Sequence, residues 1–279
     1  MAANAEQTAG PGTGAIRGRL LDLMFTRGRV EEVRSLTPRM RLVRVGGVPG
    51  LSWRPGQHVR LHVADLLAAR TWLSGAIRDI LRTYSVWAYD PDAGVLDLCV
   101  YDHDGASSGT DGAGGANSEA GRGGAPGGPG ARWAREARPG QEVVFGGPEG
   151  GFTLKPAPYH LFVGEETASV AFGAMLRAVP PDEGVYGAIE VAGPEDRLPL
   201  PRADELAWRY RGGAPAASSP TLTEAVRDLN LPAEPGVAYV AGEARSVQAV
   251  RAHLVRERGW PRRSVLVKPF WTPGKRGME

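Results

Sequence analysis

One cysteine, Cys99, stands in a chain of 279 residues. That scarcity excludes an internal disulfide framework and any multi-cysteine metal or iron–sulfur site. Cys99 sits in a strand-like run and reads as a small buried apolar residue. There is no excess of either charge, with Lys plus Arg at 33 and Asp plus Glu at 31. The balance argues against a general nucleic-acid binder, though it leaves room for a local basic patch. No apolar run approaches the roughly 20 residues of a membrane span. The opening Met-Ala-Ala-Asn-Ala-Glu-Gln has neither the basic nor the apolar region of a signal peptide. These absences lead us to expect a cytoplasmic protein that needs neither membrane nor nucleic acid, with nothing to demand more than a monomer. The P-loop and the Gly-x-Gly-x-x-Gly dinucleotide pattern are also missing. His58 and His62 share one strand face, but no third ligand stands out, so no metal site is expected.

What is present is organised around Arg82-Thr83-Tyr84-Ser85-Val86. The turn signal Asp90-Pro91-Asp92-Ala93-Gly94 and the run Val95–Tyr101 follow, so this stretch reads as one arm of a β-hairpin. Alternation along a strand puts Arg82 and Tyr84 on one face. A guanidinium pairs with phosphate in forked geometry, a phenol covers an aromatic ring, and Ser85 can bond the rim of a heterocycle. Such a trio suits a flavin nucleotide, although an ordinary amphipathic strand would look the same.

The length allows two domains. Residues 1–18 are small and polar and read as disordered. Residues 19–152 read as a small antiparallel barrel with one short helix: strand-like runs at 30–34, 40–45 and 58–63 alternate apolar and charged side chains. Within it, 104–127 is a flexible Gly/Ala-rich insertion by composition. The turn Gly127-Gly128-Pro129-Gly130 feeds a helix through Ala137, exposing unpaired N–H groups that favour a phosphate, or forming a plain junction. From 153 to 279 strands and helices alternate, which implies a parallel sheet. Strands are expected at 159–164, 184–191, 206–210, 236–241 and 265–268, and helices at 168–178, 221–229 and 244–258. Ligands bind at the carboxyl ends of such strands, and Gly164-Glu165-Glu166-Thr167 and Ala241-Gly242-Glu243 mark two of them.

A barrel followed by an α/β domain is the two-domain layout of ferredoxin-reductase-like flavoproteins. The ordered motifs Pro55-Gly56-Gln57-His58-Val59, Arg82-Thr83-Tyr84-Ser85-Val86 and Gly128-Pro129-Gly130-Ala131-Arg132-Trp133-Ala134 narrow this. So do residues 138–143, 147–152, Val163-Gly164-Glu165-Glu166-Thr167-Ala168, 241–244 and Phe270-Trp271-Thr272-Pro273-Gly274. Over about residues 28–276 the chain resembles the siderophore-interacting protein family, whose members are FAD-dependent, NADH- or NADPH-using ferric-siderophore reductases. The resemblance implies that Arg82, Thr83, Tyr84 and Ser85 hold FAD. It implies that Gly130, Ala131, Arg132 and Trp133 meet its pyrophosphate side, and that Glu166, Thr167 and Ala168 lie by the nicotinamide or flavin edge. It also implies that Lys268, beside Trp271, attracts an anionic ferric chelate. Two positions depart from the family: Trp87 stands where an arginine is usual and Tyr101 where a histidine is usual. His103, two residues on, joins Tyr101 in the cofactor set. With Trp87, Trp208, Tyr210 and Trp271 about the cleft, an organic, apolar substrate in a biosynthetic pathway is the alternative. A binding protein that has lost turnover is a third reading.

Overall fold

The computed structural model describes residues 25–63, 81–102 and 128–274. The expected disordered segment 1–18, the insertion 104–127 and His103 lie outside them. The first half is a closed antiparallel barrel. Its strands are β1 (Thr26–Thr37), β2 (Met40–Gly46), β3 (His58–His62), β4 (Leu81–Asp90), β5 (Val95–Tyr101) and β6 (Glu142–Glu149). They pair in the order β1-β2-β5-β4-β3-β6, and β6 returns to β1. Alternation does the sorting. On β3, Val59 and Leu61 point into the core while Arg60 is exposed, and Val43, Val86, Leu96, Leu98 and Phe145 complete a fully buried interior. Helix α1 (Pro129–Glu136) lays Trp133 and Ala134 on this core, just before β6.

The second half is a five-stranded parallel sheet in the order β11-β10-β7-β8-β9. Its elements are β7 (Tyr159–Glu165), α2 (Ser169–Leu176), β8 (Gly184–Val191), β9 (Leu206–Tyr210), α3 (Pro220–Asp228), β10 (Val237–Glu243), α4 (Ala244–Ala252) and β11 (Val265–Trp271). Central β7 is buried along its whole length, as a parallel strand covered on both faces must be. Helices α3 and α4 cover one face, and α2 packs on the other. The helix expected over 244–258 is a regular α-helix only to Ala252. Beyond Ala252 the chain makes a wide π turn, His253–Glu257, with His253 Nδ1 2.8 Å from Glu257 Oε2. There Arg258 turns back to donate to the carbonyls of Val226, Arg227 and Leu229. The expected helix thus continues to Glu257, its last turn widened, with Arg258 N donating to the His253 carbonyl at 3.1 Å.

Helix α2 faces the barrel, and all eight of its residues are buried. One apolar cluster therefore runs across both halves, from Met40, Leu42, Trp87 and Cys99 to Phe152, Phe172, Met175 and Tyr239. Two glycines permit the approach. Gly56 has φ +95°, and a Cβ there would meet the Phe152 carbonyl at 2.0 Å. A Cβ on Gly173 would lie 2.3 Å from the Trp87 ring. The Arg177 guanidinium lies 4.4 Å over the same ring.

Truncating Trp87 to alanine should therefore open a cavity in the shared core and cost about 3–5 kcal/mol. Denaturant unfolding measures this, and Tyr210→Ala, at an exposed position, serves as the control within about 0.5 kcal/mol. Equal losses in the two variants would show that the halves do not share a core.

Candidate functional site

The Arg82 strand and the glycine-rich helix start, 48 residues apart in sequence, meet in space. Arg82 and Tyr84 lie on β4, and Gly130 lies in the first turn of α1. A Cβ at Gly130 would fall within 1.8 Å of Tyr84 Oη and 3.6 Å of the Arg82 side chain. Only glycine lets the helix start settle there. The Tyr84 ring stacks on Trp133, with centroids 6.5 Å apart and planes 28° apart. Burial pushes the Tyr84 phenol well above its ordinary pKa, so it stays a neutral ring and donor. Arg82 Nη1 donates to the Leu81 carbonyl at 2.7 Å, which steadies the guanidinium. Ser85 stands opposite His58 in the ladder, and Thr83 is exposed.

The start of α1 is chemically open. Gly128 gives no side-chain cap, Pro129 is the first helical residue, and the first turn holds no acid. Arg132 Nε is buried without a partner among the described residues. An orphaned guanidinium nitrogen beside an uncapped helix start is a donor set awaiting an anion. Arg82, Tyr84, Gly130, Ala131, Arg132 and Trp133 thus fit a phosphate-bearing nucleotide. Asp102 receives Arg135 in a forked pair at 2.7 and 2.9 Å, which ties α1 to the end of β5.

The second cluster lies at the carboxyl edge of the parallel sheet. Glu166 is buried and receives both guanidinium branches of Arg211, Nη1 at 2.5 Å and Nη2. It also accepts Tyr101 Oη at 2.8 Å, and Arg39 donates to that hydroxyl at 3.3 Å. The Glu166 carboxylate therefore ties the two halves together. Its neighbour Glu165 has neutral partners: Thr167 N at 2.9 Å, Thr167 Oγ1, and Trp271 Nε1 at 3.0 Å. Burial, and then the adjacent Glu166, raise the Glu165 pKa to about 7. Ala168 is fully buried against Gly164.

Lys268, on β11, reaches across to the barrel. Its Nζ lies 2.7 Å from His58 Nδ1. Burial lowers the lysine to about 8, and burial with the nearby ammonium lowers His58 to about 4. Near neutrality the ammonium therefore donates to a neutral imidazole. Trp87 is buried in the shared core, and Trp208 is covered by Arg197 at 4.3 Å. Of the aromatics that suggested a flat apolar ligand, Trp87 is thus a packing residue, Trp208 lies under Arg197, Tyr210 is exposed and Trp271 is half-buried. His62 sits apart, edge-on to Phe25 at 4.7 Å. Two residues escaped the sequence reading. Arg211 follows β9 in a stretch read as irregular, with nothing local to mark it. His58 was visible, but its partner lies 210 positions away.

Comparison with known proteins gives a consistent answer. The siderophore-interacting FAD-binding domain matches residues 29–152, and the siderophore-interacting protein domain matches residues 157–274. Ferric vibriobactin reductase ViuB of Vibrio cholerae is 32% identical over 132 residues, 47% of this chain and 48% of the relative. The match spans about half the length of the curated relatives. A siderophore utilization protein from T. fusca superposes with TM-score 0.69 and 25% identity, covering 91% of this chain and 95% of that one. A ferredoxin reductase of carbazole 1,9a-dioxygenase shares the fold, with TM-score 0.61 and 19% identity over 88% of this chain and 69% of its own.

Two outcomes test the carboxyl edge. Arg211→Met leaves Glu166 buried and unpaired, and should cost about 3–5 kcal/mol in denaturant unfolding. Glu165 holds a proton in the folded state that the unfolded chain releases between its ordinary 4.5 and about 7. Its contribution to stability therefore falls as pH rises through that window. Glu165→Gln, which never ionises, should melt higher relative to wild type at pH 8 than at pH 5. A difference that does not change with pH would show that the carboxyl does not titrate there.

Proposed function

Because the chain belongs to the siderophore-interacting protein family, we propose that it is an FAD-dependent reductase of ferric chelates, with NADH or NADPH as electron donor. The observation that carries the proposal is the meeting of Arg82, Tyr84 and Gly130 at an uncapped helix start with an orphaned Arg132 Nε. FAD, when bound, supplies the hydride-accepting and one-electron chemistry. The chain supplies orientation and charge.

In this reading Arg82 and Arg132 hold the pyrophosphate together with the N–H groups of α1. Tyr84 covers a ring face, and Ser85 bonds the heterocycle's rim. Gly130 keeps the helix close enough for both. Glu166, Thr167 and Ala168 line the nicotinamide side, where the Glu166–Arg211 pair keeps the two halves in register and Thr167 orients the Glu165 carboxyl. Lys268 draws an anionic ferric chelate to the cleft, with His58 holding its ammonium in place and Trp271 beside it. One-electron transfer to Fe(III) needs no general acid or base at the iron, so Lys268 and His58 need only supply charge and position there. Reduction weakens the hold of hard oxygen ligands on the metal, so the iron is released. What ViuB's name states of that protein, reduction of ferric vibriobactin, supports a ferric chelate as the substrate class here.

The purified protein should show an oxidised flavin spectrum that bleaches anaerobically with NADH or NADPH and recovers on adding ferric citrate or a ferric hydroxamate. Arg82→Ala should weaken FAD retention at least about tenfold, because a charge-assisted forked contact is lost. A protein that takes up no flavin on reconstitution would refute the reading. Flavin that reduces but ignores every ferric chelate would redirect it to organic substrates.

A further inference from the structure

A cavity of about 360 Å³ opens beside the C-terminal half of α4, lined by Gln248, Arg251, Ala252, Val255, Arg256 and Arg262. Arg262 belongs to a short 3₁₀ turn, Arg262–Ser264, that leads into β11, and Val265 pairs with Ala238 near the start of β10. The cavity therefore lies at the amino edge of the sheet, the opposite edge from Glu165, Glu190 and Glu243. The lining holds three arginines and no acid. Residues 245–263 carry six arginines and one carboxylate, Glu257. That carboxylate is engaged elsewhere, with His253 Nδ1 at 2.8 Å and Arg227 at 3.5 Å. Arg258 is likewise withdrawn, onto the carbonyls of Val226, Arg227 and Leu229. Arg251, Arg256 and Arg262 have no hydrogen-bond or ion-pair partner among the described residues. Three like charges thus share one hollow with nothing to offset their repulsion.

The backbone gathers them there. After Ala252 the chain widens into the π turn His253–Glu257. A wider turn rotates less per residue, so Arg256 comes round towards the side of Arg251 instead of continuing past it. Turns of this kind recur at functional sites. The 3₁₀ turn then brings Arg262 to the same hollow. Ala252 and Val255 are half-buried between the charges, and exposed Gln248 adds an amide donor at the rim. We propose that this cavity binds a compact multivalent oxyanion, an oligophosphate or a polycarboxylate. Each guanidinium offers a fork of N–H donors to one oxyanion group. Three of them call for a ligand with two or more such groups, since a single phosphate leaves part of the charge unanswered. A hollow of this size suits a compact molecule, and no residue of the flavin cradle or of the Lys268 cluster lines it.

The test is titration calorimetry on the full chain with FAD present, using pyrophosphate, citrate and inorganic phosphate as probes. Pyrophosphate or citrate should bind saturably at least about tenfold tighter than phosphate, and the tighter of the two identifies the source of the oxyanion groups. Arg251→Gln and Arg262→Gln should each weaken that binding at least about tenfold, through loss of a charge-assisted fork. Arg263→Gln, at an exposed neighbour outside the lining, should leave it within about twofold. Three results would overturn the proposal. One is no saturable binding of pyrophosphate or citrate at millimolar concentration. Another is phosphate binding as tightly as either. The third is a loss in Arg251→Gln no greater than in Arg263→Gln, which would mean that the arginines act only as a solvated basic face.

Discussion

The ion pair between Glu166 and Arg211, with Tyr101 bonded to it, is the contact on which the arrangement of the two halves depends. Its partners come from three places: the end of β7, the loop after β9, and the end of barrel strand β5. A buried pair of this kind adds little net stability, because desolvation offsets most of the attraction. What it does is penalise separation. Sliding the barrel away from the sheet would strip Glu166 of the Tyr101 hydroxyl in a dry environment. The shared apolar core, with Trp87 against Gly173, supplies the cohesion. The Tyr101 hydrogen bond to the paired Glu166 supplies register. Arg39 and Asp196 extend the same polar seam, since Asp196 and Glu166 both act on the Arg39 charge.

Register matters because the two facing sides are chemically divided. On the barrel side a guanidinium, a phenol and an uncapped helix start converge. On the sheet side carboxylates dominate, and Lys268 meets His58 across the gap. The shared core and the two polar ties, Glu166 to Tyr101 and Lys268 to His58, fix the distance and orientation between these two sides. The two neighbouring glutamates have different partners. Arg211 pairs with Glu166, while Glu165 receives only neutral donors, and its burial and the adjacent Glu166 raise its pKa to about 7 against those donors.

Much of this was legible in the residues. The alternation in β1 to β6 marked a barrel, the continuous apolar β7 and β10 marked a buried parallel sheet, and Arg82-Thr83-Tyr84-Ser85 and Gly130-Ala131-Arg132 marked two stretches that the fold brings together. Those signals are local or carried by ordered motifs. What stayed hidden depends on side chains far apart in sequence. Trp87 and Trp271 look alike on paper as aromatics near a cleft. In the fold Trp87 is sealed by Gly173 and Arg177, whereas Trp271 is half-exposed and held by Glu165. No spacing rule separates them, because the separation is made by α2, whose uniformly apolar residues give no face to read. Arg211 was hidden for the converse reason: its neighbours Gly212 and Gly213 signal a loop, and only the sheet order brings β9 beside β8 and hence Arg211 near Glu190 and Glu166.

The carboxyl edge of the sheet follows from the same topology. In the order β11-β10-β7-β8-β9, three strands carry a buried glutamate as their last or last-but-one residue: Glu165, Glu190 and Glu243. Each takes up backbone or hydroxyl donors near a helix start. Glu165 takes Thr167 N, Glu190 takes Ser219 Oγ, and Glu243 takes Ser246 N. A carboxylate at a helix N-terminus is favourable in its own right. At Glu243 burial alone would raise the pKa, yet the N–H groups of Ser246, Arg245 and Ser218 outweigh it and hold the group ionised. The donors at these helix starts therefore hold the three buried carboxylates in place along the edge of the sheet.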